Sequence, residues 1–185
     1  MPLKALNIRI STPTGKIPCG RGFYQVEEEE LHVPIEYPPL RLRFFSFLDS
    51  DTVSLHLDRE GRLIFIEIPL PVRRWKVRSN LVPPEQAEPA DIRFLDFRTE
   101  IGRPSILCDP ARENVMIRFS RSASANNYYL AENVIAQSAD DGKLNAIWIS
   151  DIVGDFAGRG LAAWRRIIRD LPAVALDRAA ASPQM

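Results

Sequence analysis

The sequence predicts an α+β fold that is mostly β: two tandem antiparallel β-meander repeats closed by a C-terminal amphipathic helix. Three observations carry that prediction. Apolar and polar residues alternate with a period of two in several short segments, the mark of half-buried strands. A hairpin ending on glycine occurs twice, 81 residues apart, and one stretch of helical period near the end stops at a proline. The 185 residues are 45% apolar and 26% charged, which is enough to bury a core and excludes disorder over most of the chain. With 24 Lys+Arg against 24 Asp+Glu, no global field draws the chain to nucleic acid or to anionic lipid.

The repeat emerges when the chain slides against itself. At an offset of 84, Asn7-Ile8-Arg9-Ile10 falls on Asp91-Ile92-Arg93-Phe94, and Glu29 to Ile35 falls on Glu113 to Phe119. At an offset of 81, Val53 meets Val134, Gly61 meets Gly142, Leu63 meets Leu144, Ile66 meets Ile147 and Ile68 meets Ile149. A single three-residue deletion between the blocks reconciles the two offsets. The expected organisation is a first repeat over 7–68, a proline-rich connector over 69–90 and a second repeat over 91–152. A helix over 155–171 and a flexible tail over 172–185 complete the chain.

In chain order, Leu31, Val33 and Ile35 alternate with His32 and Pro34, as Val115, Ile117 and Phe119 do with Met116 and Arg118. Leu40, Leu42 and Phe44 alternate with Arg41 and Arg43, predicting another strand with one buried face. Ile92 to Phe97 carries apolar groups in both phases, as a strand covered on both sides would. Val53–Leu57 and Arg62–Ile68 form a hairpin around Asp58-Arg59-Glu60-Gly61, repeated around Ala139-Asp140-Asp141-Gly142. Five prolines between Pro69 and Ala90 predict an extended connector with at most an edge strand. In the last helix Leu161, Trp164, Ile168 and Leu171 share a face, Arg165, Arg166 and Arg169 lie opposite, and Asp155 or Ser150 caps the approach.

The chemistry is sparse. Cys19 and Cys108, 89 positions apart, read as two unpaired thiols of a reducing cytoplasm, and no apolar run suggests a leader or a membrane span. His32 and His56, 24 residues apart, fall outside the short ligand spacings of familiar zinc sites, so no metal and no cofactor is assigned. Gly154 to Gly160 has the spacing of a nucleotide-binding turn but lacks the βαβ unit that such a turn requires. No serine elbow or Cys/His pair supplies a nucleophile, so no residue takes a catalytic role. The run Glu27 to Glu30 reads as a solvated turn.

Asp109 to Phe119 and the hairpin Asp140 to Ile149 resemble a small bacterial β-rich domain family of unknown function, in two tandem divergent copies. In that family an aspartate turn opens a strand and D-x-x-G-x-(I/L)-x-x-I-x-I closes the unit. Trp148 stands where the family favours glutamate, which Glu67 retains in the first copy. The resemblance implies a β-rich fold and no activity. The function expected is a non-enzymatic protein-interaction or regulatory module, with a protein partner or a second copy of the chain. Its candidate surface is Arg73, Arg74, Trp75, Lys76, Arg165, Arg166 and Arg169, basic residues beside large aromatics. The alternative is a small-ligand site or enzyme at the seam between the repeats.

Overall fold

The computed structural model describes residues 3–122 and 126–170. The first half holds β1 (Ile8–Ser11), β2 (Cys19–Gly20), β3 (Phe23–Gln25), β4 (Glu30–Glu36), β5 (Ser46–Asp49), β6 (Ser54–Leu57) and β7 (Leu63–Ile68). A 3₁₀ turn (Val72–Arg74) and two short strands, β8 (Lys76–Val77) and β9 (Glu88–Pro89), follow in the proline-rich stretch. The second half holds β10 (Asp91–Phe94), β11 (Thr99–Glu100), β12 (Ser105–Cys108), β13 (Val115–Arg118), β14 (Asn126–Ala131), β15 (Val134–Ser138) and β16 (Leu144–Ile149). Then come β17 (Val153–Asp155) and α1 (Arg159–Asp170). The tail expected over 172–185 lies outside the described residues.

The fold is mostly β, with two mixed sheets of similar size. One has the order β11-β5-β6-β7-β4-β3-β17, with β2 also on β4; the other runs β8-β12-β13-β16-β15-β14-β9. Their registers correspond. Leu31 faces Ile68 and Val33 faces Ile66 in the first sheet, where Val115 faces Ile149 and Ile117 faces Ile147 in the second. Even the bulge recurs, between His56 and Leu57 and between Gln137 and Ser138. Two sheets matched in size and register are consistent with an internal tandem duplication.

The arrangement departs from a simple meander at its edges. β7 returns beside β4, and the outermost strands join in parallel. The halves exchange these edges: β8 pairs with β12, and β17 pairs with β3. The leading strands β1 and β10 pair with each other, Arg9 opposite Arg93 and Ile8 opposite Phe94. Phe94 N–H donates to Gly61 O at 2.8 Å, and Ile8 N–H donates to Gly142 O at 3.1 Å. These reciprocal bonds equate Ile8 with Phe94, two residues beyond the match found by sliding the sequence. An even slip leaves every side chain on its original face, so the apolar pattern could not reveal it. Both hairpin glycines have positive φ, +82° at Gly61 and +78° at Gly142, as their loops demand.

Side chains of both sheets join one hydrophobic core, including Leu31, Val33, Ile66, Val115, Ile117 and Ile147. Two expectations fail outside it. Arg41 to Phe45 is not a strand, and Leu40 and Phe44 are each 55% exposed; among the described residues its backbone pairing is confined to the ends, the Tyr37–Leu40 bridge before it and Phe45 N–H to Leu57 O at 2.9 Å. Ile92 and Phe94 are buried as expected, but Leu95 and Phe97 are open, since the β1–β10 ribbon is covered on one face only. The helix α1 begins at Arg159, and the Asp155 carboxylate accepts from Gly160 N–H at 2.7 Å and Leu161 N–H at 3.1 Å. Among the described residues no helix is long and apolar enough to cross a membrane.

Candidate functional site

The alternation of β3 to β7 decides what the outward face of the first sheet presents. Leu31, Val33, Leu55, Leu57 and Ile66 point into the core, so Glu30, His32, His56, Phe65 and Glu67 point away from it. Register then brings together residues that are far apart in sequence. His32 lies opposite Glu67, His56 opposite Phe65, and Phe47 opposite His56.

Two clusters result, joined where the Phe44 ring meets His56. In the first, His32 Nε2 lies 3.1 Å from Glu30 Oε2, and ligand atoms of Glu30, His32 and Glu67 all lie within 4.8 Å of one another. His56 Nε2 is 3.7 Å from Glu67 Oε2. The Phe65 ring lies 5.4 Å from the His32 ring and 5.3 Å from that of His56. Burial, then the neighbouring Glu30 carboxylate, pushes Glu67 above the ordinary glutamate value. Burial pulls His56 below the ordinary histidine value despite Asp49, which favours the neutral imidazole. A cleft of about 230 Å³ opens beside this cluster, lined by His56, Phe65, Tyr37, Glu36 and Arg165 among others.

The second cluster is aromatic. Phe44 and Phe47 stack with centroids 6.4 Å apart, and Phe44 meets the His56 ring edge-on at 5.4 Å. Phe45 meets Phe97 edge-on at 6.1 Å, while Arg59 and Arg98 lie 5.1 Å and 5.7 Å from the Phe45 centroid. All four phenylalanines are exposed, between 37% and 55%. Arg41 and Arg43, on the same segment, are exposed as well. The patch contains side chains of both halves, Phe97 and Arg98 from the second and the rest from the first.

The residues singled out from the sequence fall into separate groups. Arg73 and Arg74 sit exposed on the 3₁₀ turn, Arg73 paired with Glu29, and Lys76 is exposed on β8. Trp75 is only 4% exposed; its Nε1–H donates to Leu70 O at 2.9 Å and its ring meets Tyr24 edge-on at 5.7 Å. Trp164 of α1 instead meets Phe23 at 5.9 Å. Phe23 and Tyr24 are successive residues of β3 and point to opposite faces, so the two tryptophans are held apart. Arg165 lies 5.8 Å from the Phe65 centroid and 3.5 Å from Glu36, which puts it on the outward face, and Arg166 and Arg169 are exposed.

Other motifs are absorbed by structure. The helix N-terminus that a phosphate would use is filled by Asp155, whose carboxylate also accepts from Gln25 Nε2 at 2.8 Å. Both cysteines are free and buried, and burial pushes Cys19 up to about 11. A depression of about 580 Å³ lined by Asp49, Ser50, Asp51, Glu100, Gly102 and Arg103 spans the β5–β11 junction between the halves. The histidine–carboxylate cluster eluded the sequence because its members are neighbours across strands. The available signal was that His32, His56 and Glu67 all occupy the polar phase of strands flanking one hairpin. Compared with known protein families and with curated proteins, the chain matches none.

Proposed function

We propose that this protein is a non-enzymatic protein-interaction module whose contact surface is the aromatic–arginine patch of Phe44, Phe45, Phe47 and Phe97 with Arg59 and Arg98. One observation carries the reading: four phenylalanines from two separate segments form two ring pairs, Phe44 with Phe47 and Phe45 with Phe97, while remaining 37% to 55% exposed. Exposed aromatic surface costs free energy in water, and a contiguous patch of it marks a contact site. Arginines over an aromatic ring are common at the energetic centres of interfaces, where a partner excludes the remaining water. Four exposed arginines, Arg41, Arg43, Arg59 and Arg98, favour a partner presenting carboxylates beside apolar side chains. Arg165, Arg166 and Arg169 extend the same positive character along the helix bordering this face.

A pull-down from native lysate, comparing the wild type with Phe44→Ser/Phe47→Ser, tests the reading. A protein retained by the wild type and lost by the variant, while both melt alike, is the expected result. Recovery of a stoichiometric small molecule and no protein overturns it. A ligand site at the seam, the second reading, has the depression at the β5–β11 junction to support it. Its walls, however, are largely solvated, with the Asp51 and Arg103 side chains 83% and 74% exposed. A small ligand there gains little desolvation.

A further inference from the structure

We infer that Glu30, His32 and Glu67 form a binding site for one divalent transition-metal ion, zinc in the first instance, held on the outward face of the first sheet. This goes beyond the interaction module and does not depend on it. The three side chains come from adjacent strands β4 and β7, whose register sets His32 directly opposite Glu67. Glu30 lies two residues before His32 on β4 and therefore on the same face. Their ligand atoms lie within 4.8 Å of one another, and the Glu30–His32 pair is already at 3.1 Å. Around a zinc ion with bonds of about 2.0–2.2 Å, tetrahedral neighbours stand roughly 3.3–3.6 Å apart. Closing the remaining distance therefore takes rotation of half-buried carboxylates, with no movement of the ladder.

The donor set selects the class of ion. Two carboxylates and one imidazole cancel the charge of a divalent cation. The imidazole nitrogen suits zinc and its transition-metal neighbours and is a poor ligand for calcium or magnesium. Three protein ligands leave a coordination position for water or for a partner's side chain. His56 Nε2, 3.7 Å from Glu67 Oε2, lies just beyond hydrogen-bonding distance, so a small rotation of that carboxylate lets the imidazole orient it. Phe65, packed against both imidazoles, restricts where the rings can turn.

The other half of the chain serves as an internal control. The registers that equate the sheets place Asn114, Met116, Trp148 and Gln137 where the first sheet has Glu30, His32, Glu67 and His56. That set offers no ionic ligand. Among the described residues the site therefore exists once.

Isothermal titration of the full chain with zinc chloride tests the inference, together with NMR of the histidine ring nitrogens. Only two histidines are present, so each imidazole gives an assignable signal. The expected result is one zinc ion per chain, a shift of the His32 ring signals on binding, and reversal by EDTA. Magnesium and calcium are expected to produce neither heat nor shift. His32→Asn and Glu67→Gln should abolish binding, whereas His56→Gln should weaken it roughly tenfold, the usual effect of losing a group that orients a ligand. A Cys19→Ser/Cys108→Ser variant should bind as the wild type does. Absence of saturable zinc binding, or zinc binding that leaves both imidazole signals unmoved, refutes the site. Retention of wild-type affinity by folded His32→Asn and Glu67→Gln proteins does so too, folding being checked by circular dichroism.

Discussion

Asp155 concentrates more bonding in one side chain than any other polar residue between the sheet and α1. Its carboxylate accepts from Gln25 Nε2 at 2.8 Å, Gly160 N–H at 2.7 Å and Leu161 N–H at 3.1 Å, while the residue itself is 2% exposed. Asp155→Ala removes the acceptor of all three hydrogen bonds. Loss of a helix cap costs about 1 kcal/mol. Gln25, itself 3% exposed, is left with an unpaired buried amide, at about 1–3 kcal/mol. The sum is roughly 2–4 kcal/mol, or a fall in Tm of about 5–12 °C for a chain of this size. Burial opposes ionisation of the carboxyl, but the Gln25 amide and the two backbone N–H groups outweigh it and hold it below the ordinary aspartate value of 3.8. The folded chain thus releases this proton more readily than the unfolded one. Its contribution is complete above the unfolded value and is lost as pH falls through the folded one. Urea melts of wild type and Asp155→Ala at pH 7 and at pH 3 should show the difference narrowing in acid. A loss below about 1 kcal/mol at pH 7 refutes the capping argument, and so does an equal gap at both pH values.

Gly61→Ala should destabilise more than Gly142→Ala, by at least about 2 against about 1 kcal/mol, because both positions have positive φ but only the first is crowded. A Cβ on Gly61 would lie 2.3 Å from Phe94 O, whereas on Gly142 the nearest atom is Ile8 O at 3.6 Å; chemical melts of both variants decide. Trp75→Ala should cost about 3–5 kcal/mol in the same assay, since the ring is buried, whereas Arg74→Ala should change stability by less than about 0.5 kcal/mol. Tyr37→Phe should cost about 1–2 kcal/mol by stranding Leu63 O, which the phenol reaches at 2.7 Å. Cys19, pushed up to about 11 by burial, should resist alkylation at pH 8 until denaturant is added; prompt labelling of the folded chain contradicts that placement.

The parts of the fold legible in the sequence are those that period and turn chemistry determine. The hairpins around Gly61 and Gly142 form where Asp-rich turns predicted them, and the buried phase of β4 and β13 is the expected one. Hidden features depend on what a segment meets in space. Arg41 to Phe45 has the alternation of a strand, but alternation cannot report whether a ladder partner exists, and here most of one is lacking. Trp75 has basic neighbours like a surface residue, yet the 3₁₀ turn before it rotates the ring inward onto Tyr24. The exchange of β8 and β17 between sheets leaves no trace in composition at all.

The comparison within the chain locates where the two halves have been free to differ. Where the sheets share a core, the matched residues stay apolar: Leu31 with Val115, Val33 with Ile117, Leu63 with Leu144 and Ile66 with Ile147. A change of polarity there would strand a polar group in a core common to both sheets. On the opposite faces the matched residues differ: His32 matches Met116, His56 matches Gln137, Phe65 matches Ala146 and Glu67 matches Trp148, and of the second set Ala146 and Trp148 are buried. Every position that builds the histidine–carboxylate cluster is therefore one that differs between the halves. The aromatic patch follows the same rule, with Phe47 opposite His56 where the second sheet sets Asn127 opposite Gln137. Packing of the common core accounts for what the halves share; the histidine–carboxylate grouping arises where the matched residues of the second sheet, Met116, Gln137 and Trp148, carry no ionic ligand.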